Sequence, residues 1–392
     1  MKILLVAGRY PWPARRGDQM RSDQLLRFLL REHQPLLVAP EAPPGAPAPP
    51  AGLRVEAYRP RRRVLATGLV RALLEGFPLQ AGLYYQPELA RLLRHHAQRV
   101  DLVILQLARQ GLHRADLGET PTVVDLIDSL SLNFQHRARL DTPLWRLFLR
   151  WEARRLAAAE RKLVAESRES WLVCARDREF LAGLEPSLEA KLRVVPIAVP
   201  PAERPAPPVE QRVRGERLVF TGNLGYFVNS DAIRWFLRRV WPVLVVRRPT
   251  LRLTVAGSRP PRSVRRAVAA APRAELIDSP ANLRAILASA SAALAPMRSG
   301  SGVPVKVLEA WAEGVPVVAS PWAGAGTTGR GERDFLLADQ PEEWVEGIGS
   351  LLDDPALASR LVEAGQERLR QDYSAASVSR ALGERLTDLS VE

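Results

Sequence analysis

Between Pro296 and Ser320 the chain reads PMRSGSGVPVKVLEAWAEGVPVVAS, and these residue types suit the holding of an anion. The amides of Gly300, Ser301 and Gly302 precede a helix start, where the backbone dipole and open N–H groups favour negative charge. Arg298 and Lys306 add cationic side chains. Lys306 and Glu309 stand three apart and share a helix face, so a diphosphate would meet Lys306 as a point charge while Glu309 accepts from hydroxyls. The competing reading of the same residues is a surface Lys–Glu pair of about 0.3 kcal/mol behind an ordinary glycine turn. Pro304 suits a first helical position and Gly314 a C-terminal cap. The spacing therefore predicts a helix over Pro304–Glu313, with Val305, Leu308 and Ala312 turned inward.

Other residues offer chemistry in the first half. Gly17 is crowded by Arg15, Arg16 and Arg21. His113 follows the apolar run DLVILQL, whose carboxyl end should face a binding crevice, which makes it a candidate active-site histidine. His95 and His96 lie in an arginine-rich helical stretch and read as solvated. Asp125 and Asp128 end another such run, and Asp128 is the better placed to reach a crevice; helix capping is the rival use. In the second half, Gly222 permits close backbone approach to a ligand, and Asn229 or Ser230 suits a helix cap.

The elements that must position these residues alternate between short apolar runs and helical patterns, the rhythm of parallel sheets with helices on both faces. KILLVAG, QPLLVAP, DLVILQL and PTVVDLID make one series; ERLVFTG, LRLTVAG, AELID, AALAPM and VPVVAS make a second. With 392 residues, two cores of roughly 200 residues each are expected. The proline-rich VPPAERPAPPVEQR, Val199 to Arg212, reads as a semi-rigid linker, and PEAPPGAPAPPAG at Pro40 to Gly52 as a surface loop.

Composition narrows the function. The lone Cys174 excludes an internal disulfide, and with five histidines a Cys/His zinc site is implausible; a reducing, cytoplasmic setting is expected. The start MKILLVAGRYPWP has too short an apolar run for a signal peptide, and no run approaches a membrane span. The net charge is +13, of which +10 falls within residues 1–200. A nucleic-acid binder of this charge would need a basic stripe interleaved with aromatics or a reader motif, and neither is present. Arg137 to Leu156, RARLDTPLWRLFLRWEARRL, fits either a helix on an anionic membrane surface or one whose aromatics are core, and the core reading is preferred. RPRRRVLATGLVRALLEGF, Arg59 to Phe77, is a second candidate for membrane contact.

SGVPVKVLEAWAEGVPVVAS closely resembles the C-terminal donor motif of retaining GT-B glycosyltransferases of family 4. VFTGNLGYFVNSDAIRWF is similar to the strand, glycine turn and helix that open the second domain of that family. MKILLVAGRYPWPARRGDQMRSDQLLRFL is similar to its first strand, loop and helix, and PTVVDLIDSLS, WEARRLAAAERKL and LLADQPEEWVEGIGSLLDDP extend the likeness over nearly the whole chain. The resemblance implies an α/β fold of two doubly wound Rossmann-like domains facing a central cleft. They would be an acceptor-binding domain over 1–198 and a nucleotide-sugar domain over 213–374, joined by the linker 199–212, with the helix 375–392 returning to the first.

The resemblance further implies transfer of a sugar from a nucleoside diphosphate sugar to an acceptor hydroxyl, with no cofactor and no metal. The donor would be held by Gly222, Asn223, Gly300, Ser301, Gly302 and Glu309, with Lys306, Arg298 and His113 acting in catalysis. Arg15, Arg16, Gly17, Arg21 and Asp128 would serve the acceptor and phosphate side. The implied acceptor is a glycan or lipid-linked precursor; the basic charge of the first half adds an expected peripheral contact with an anionic membrane, and no specific nucleic acid is expected. Three departures stand out. Ser301 occupies the place of the first of two glutamates, PIAVP replaces the usual NGVD, and GNLGYFVNSDA lacks the arginine and lysine pair found after the first strand of the second domain. The family's architecture without its activity would make the chain a scaffold, and donor turnover separates the two.

Overall fold

The computed structural model describes residues 1–14, 16–203 and 207–391. The chain divides into two compact units, Met1–Ile197 with Ser379–Glu392, and Ala198–Val378. The first is built on a sheet of β1 (Lys2–Val6), β2 (Gln34–Pro40), β3 (Arg54–Tyr58), β4 (Leu102–Gln106), β5 (Thr122–Ile127), β6 (Glu169–Leu172) and β7 (Leu192–Val194), in the order β3-β2-β1-β4-β5-β6-β7. The second has β8 (Arg217–Thr221), β9 (Arg252–Gly257), β10 (Ala274–Asp278), β11 (Ala292–Ala295), β12 (Val317–Ala319) and β13 (Leu336–Leu337), in the order β10-β9-β8-β11-β12-β13. All pairings are parallel. Continuous apolar runs make this possible, because a parallel strand is covered on both faces. In β1, Ile3, Leu4, Leu5 and Val6 are all fully buried.

The two doubly wound sheets are the expected architecture. The apolar runs of the sequence became strands, all central except the edge strand β10; β3, β6, β7 and β13 carry no such run. β3 is a half-exposed edge, RVEAY, and β13 is two residues long, so periodicity has little to act on. The segment 199–212, expected as a linker, lies in the second unit and contributes the short helix Val209–Val213. Arg212 there is buried and donates to the carbonyls of Glu313 (3.4 Å) and Gly314. A cation so placed satisfies the carbonyls at a helix end.

That helix is Val305–Ala312, one residue shorter at each end than expected. Pro304 has ψ 88°, outside the helical region, so it stands before the first turn. The inward residues are Val307, Leu308, Ala310, Trp311 and Ala312, while Val305 is only half-buried. The helix is covered on a wider face than a single stripe because the helix Pro355–Asp372 packs on it. Gly365 of that helix abuts the Trp311 indole, where an added Cβ would come to 2.3 Å of Cδ1.

One expectation about the first unit is overturned. In the helix Pro143–Ala165, Leu149 is buried, but Leu144, Trp145, Leu147, Phe148 and Trp151 are exposed; the preferred core reading of these aromatics fails. Periodicity marks which residues share a face but not what covers it.

Gly365→Ala overpacks the contact that seats Trp311, and it is expected to lower stability by about 1–3 kcal/mol. Thermal unfolding checks this, and an unchanged midpoint would show that the indole is not held by that helix.

Candidate functional site

In the second unit the strand order reverses between β8 and β11, and the loops beyond the carboxyl ends of strands at such a point form the natural ligand crevice of an open α/β sheet. The β8 loop begins at Gly222, with φ 141°, a conformation glycine tolerates. Its amide donates to Ala256 O (3.2 Å). A Cβ on neighbouring Gly257 would fall 1.7 Å from Gly222 O, so glycine at 257 lets β8 and β9 end this close together. Asn223 then turns the loop on itself, its Oδ1 accepting from Gly225 N at 3.1 Å. Asn223 was expected to meet donor, and its side-chain oxygen is used in this turn.

Lys306 reaches from the helix Val305–Ala312 to this loop. Its Nζ donates to Asn229 Oδ1 (2.9 Å), and Asn229 Nδ2 donates to Asn223 O (3.0 Å). The same ammonium lies 3.7 Å from the centroid of Phe220, a cation–π contact. Gly222 leaves the amide its place beside the lysine, since a Cβ there would lie 3.0 Å from Asn229 Nδ2. An ammonium has three N–H donors, and one neutral amide is a modest replacement for water. Burial accordingly pushes the Lys306 pKa down to about 7, against the pull of Glu309. No Lys306–Glu309 ion pair forms among the described residues, so the surface-pair reading does not hold. The Glu309 carboxyl is pushed up by burial and held back by Arg284 and Lys306.

Arg298 requires a correction. It was expected to offer its charge to phosphate, but its guanidinium grips Asp231 in a forked ion pair, Nη2 to Oδ1 2.9 Å and Nε to Oδ2 3.1 Å. Its charge is met by a carboxylate, and it ties the 296–304 loop to the helix Phe227–Arg239. Asn229 and Ser230 do not cap that helix: Asn229 holds Lys306, and Ser230 Oγ donates to Phe227 O (3.1 Å). In the loop itself Gly300 and Gly302 have φ 123° and 69°, and Ser301 is half-buried.

In the first unit the order reverses between β1 and β4. Gly17 is the exposed first residue of the helix Gly17–Glu32, and Arg16, half-buried, is its cap; Arg15 lies outside the described residues. Arg21 is not a ligand-facing residue. It is fully buried, with Nε on Asp125 Oδ2 (3.1 Å) and Nη1 on Pro196 O (2.8 Å), because a charge taken from water needs a paired carboxylate. His113 is likewise excluded from the active-site role. It is buried and stacked on Tyr85, Nε2 accepts from Gln86 N (3.3 Å), and Nδ1 lies 3.0 Å from Asp116. With both ring nitrogens used, it has none to present to a substrate. Asp128 is half-buried just beyond β5. The residues ending that strand and following β4, Ile127 (φ 66°) and Leu107 (φ 72°), adopt left-handed backbone. Side chains of this bulk avoid it, at a cost of about 1–3 kcal/mol each.

Sequence reasoning missed Phe220, Asp231 and Gly257 and took Asn229 for a cap. The one available signal was the crowding of aromatic, glycine and amide residues in VFTGNLGYFVNSD.

The lysine has a measurable consequence for stability. Its folded pKa of about 7 lies below the roughly 10.4 of an unfolded lysine. Between those values the unfolded chain binds more protons, so stability rises with pH across that window. Lys306→Met removes the desolvated charge. The variant's advantage over wild type is expected to be largest below about pH 7 and to shrink toward about pH 10. Thermal unfolding at several pH values measures it, and a pH-independent difference would contradict the burial of the charge.

Residues 215–354 match the family described as Glycosyl transferases group 1. No curated protein matches the chain in sequence. Among solved structures, the chain is similar to sucrose-phosphate synthase from Thermosynechococcus elongatus (TM-score 0.73, 16% identity, covering 100% of this chain and 99% of that one). It is also similar to HepE from Anabaena in complex with UDP-glucose (0.67, 11%, 99% and 100%). A third is alpha,alpha-trehalose 6-phosphate synthase from Burkholderia multivorans (0.65, 15%, 100% and 99%). With two Rossmann-like units, each carrying its switch point, the chain has the GT-B fold, and over residues 215–354 it resembles the glycosyl transferases of group 1.

Proposed function

We propose that the chain is a retaining glycosyltransferase that moves a sugar from a nucleoside diphosphate sugar to an acceptor hydroxyl. The observation that carries this reading is Lys306, a desolvated ammonium at the β8/β11 switch point with a neutral amide as its hydrogen-bonded partner. A nucleotide sugar already contains its leaving group, so the protein's task is to stabilise charge growing on the diphosphate. A phosphate oxygen would replace the missing solvation of Lys306 and restore its proton. The glycine-bearing loop and the start of the helix Val305–Ala312 add N–H dipoles on the same side. Glu309 would accept from ribose hydroxyls. Arg298 acts here as a positioning residue through Asp231.

Retention follows if the leaving phosphate oxygen takes the acceptor's proton on the face it departs from. No protein base is then required, in keeping with Ser301 in the place where a glutamate is common. We place the diphosphate on protein cations and helix dipole alone, without a divalent metal, and no cofactor enters. HepE is described in complex with UDP-glucose, so UDP sugars are the first donors to try. The acceptor would be a glycan or a lipid-linked precursor of a polysaccharide, lipopolysaccharide or glycolipid, handled by the first unit with Arg16, Gly17 and Asp128 as candidate contacts. The buried, unpaired Cys174 suits a reducing compartment, the cytoplasm.

UDP at one hundred times its dissociation constant should add about 2.7 kcal/mol to stability, read as a rise in unfolding temperature. Lys306→Ala should abolish that rise and lower donor turnover by about a hundredfold or more, while wild-type turnover is unchanged by chelator. A variant that keeps the full shift, or a strict divalent-metal requirement, would sink this placement of the diphosphate.

A further inference from the structure

The first unit carries a surface that the donor chemistry does not use. Along the outer side of the helix Pro143–Ala165, Trp145, Phe148 and Trp151 form an aromatic ladder, with ring centroids 5.6 and 6.1 Å apart. Leu144 is 82% exposed and Leu147 68%. The helix Leu65–Leu74 continues the patch with exposed Val70, Leu73 and Leu74. Arg155 fastens the two helices together, donating to Ala72 O (2.8 Å) and Phe77 O (3.0 Å) while lying over the Trp151 ring. Isolated exposed apolar residues are ordinary, but a contiguous aromatic and leucine face marks an interaction site.

Its charge setting says which kind. Arg61, Arg62 and Arg63 lead into the Leu65–Leu74 helix, and Arg150 and Arg154 flank the aromatic ladder; all are exposed. The neighbouring carboxylates are buried or paired. Glu152 is buried and accepts from the amides of Leu79 and Gln80 (both 3.1 Å), Asp141 is paired with Arg137 (3.2 Å), and Glu75 with Arg71 (2.5 Å). A second copy of the chain would bring this arginine rim against itself in a two-fold contact. An anionic bilayer offers the opposite charge together with an apolar layer for tryptophan and leucine.

We infer that the exposed face of the helices Leu65–Leu74 and Pro143–Ala165 docks on an anionic lipid surface, the aromatics and leucines entering the headgroup boundary and the arginines pairing with lipid phosphates. No helix among the described residues is long and apolar enough to cross a membrane, so the contact is peripheral and reversible. Its evidence is independent of Lys306.

The test is co-sedimentation of the full chain with phosphatidylcholine vesicles, with and without phosphatidylglycerol, at low and high salt. Two variants accompany it: Leu144→Ser/Trp145→Ser/Leu147→Ser and Arg150→Glu/Arg154→Glu. All the altered side chains are exposed, so the unfolding temperature should not move. Wild type should bind in proportion to phosphatidylglycerol and release in high salt. Each variant should lose about tenfold or more in partitioning. Three results would overturn the inference: no vesicle binding at any composition, binding that neither variant weakens, or a dimer seen by light scattering that the serine variant disperses.

Discussion

A half-buried lysine whose ammonium is held between the face of a phenylalanine ring and a single amide oxygen is the constraint on which the second unit turns. Lys306 stays there because Phe220 of β8 turns its ring toward it, Gly222 leaves room, and Asn229 is held in turn by Asn223 O. Phe220 lies in β8 and Gly222 and Asn229 in the loop and helix beyond it, whereas the lysine comes from the helix beyond β11. The interaction therefore bridges the point where strand order reverses, and the ion pair Arg298–Asp231 bridges it a second time. An anion arriving there would find a cation whose proton is loosely held and a loop already fixed in place, so little ordering remains to be done on binding.

The surrounding packing serves the same end. Gly257 lets β9 close on Gly222, Arg212 satisfies carbonyls at the far end of the lysine's helix, and Gly365 admits Trp311 beneath it. Each holds an element that carries the lysine or lies beside it. In the first unit, strained backbone at Leu107 and Ile127 lies next to the corresponding switch point, where a rigid sheet can hold conformations an isolated chain would refuse.

The architecture was legible because buried parallel strands require apolar runs and their connections require helices, and both leave marks in sequence. The loop from Arg298 to Lys306 was legible as a loop ahead of a helix, because glycines and a proline interrupt periodic structure there. What composition did not reveal was partnership. Arg21 and Arg298 read as free cations, but Asp125 lies 104 residues from the first and Asp231 lies 67 from the second, and only the folded sheet brings them together. His113 stood near the end of the right strand, yet the chain folds back to bury it against Tyr85 and Asp116. The helix from Pro143 to Ala165 failed in the opposite direction. Its aromatics share a face with helical period, and nothing in the period says whether protein covers them.

The central claim is that the Lys306 ammonium receives the diphosphate. Calorimetric titration of UDP into the protein at about pH 8, roughly one unit above the Lys306 pKa, in buffers of different ionisation enthalpy, counts the protons taken up on binding. If a phosphate resolvates an ammonium whose pKa stands at about 7, binding raises that pKa and draws close to one proton from buffer, and Lys306→Met abolishes the uptake. Binding with no uptake in wild type, or with the same uptake in the variant, would contradict the account.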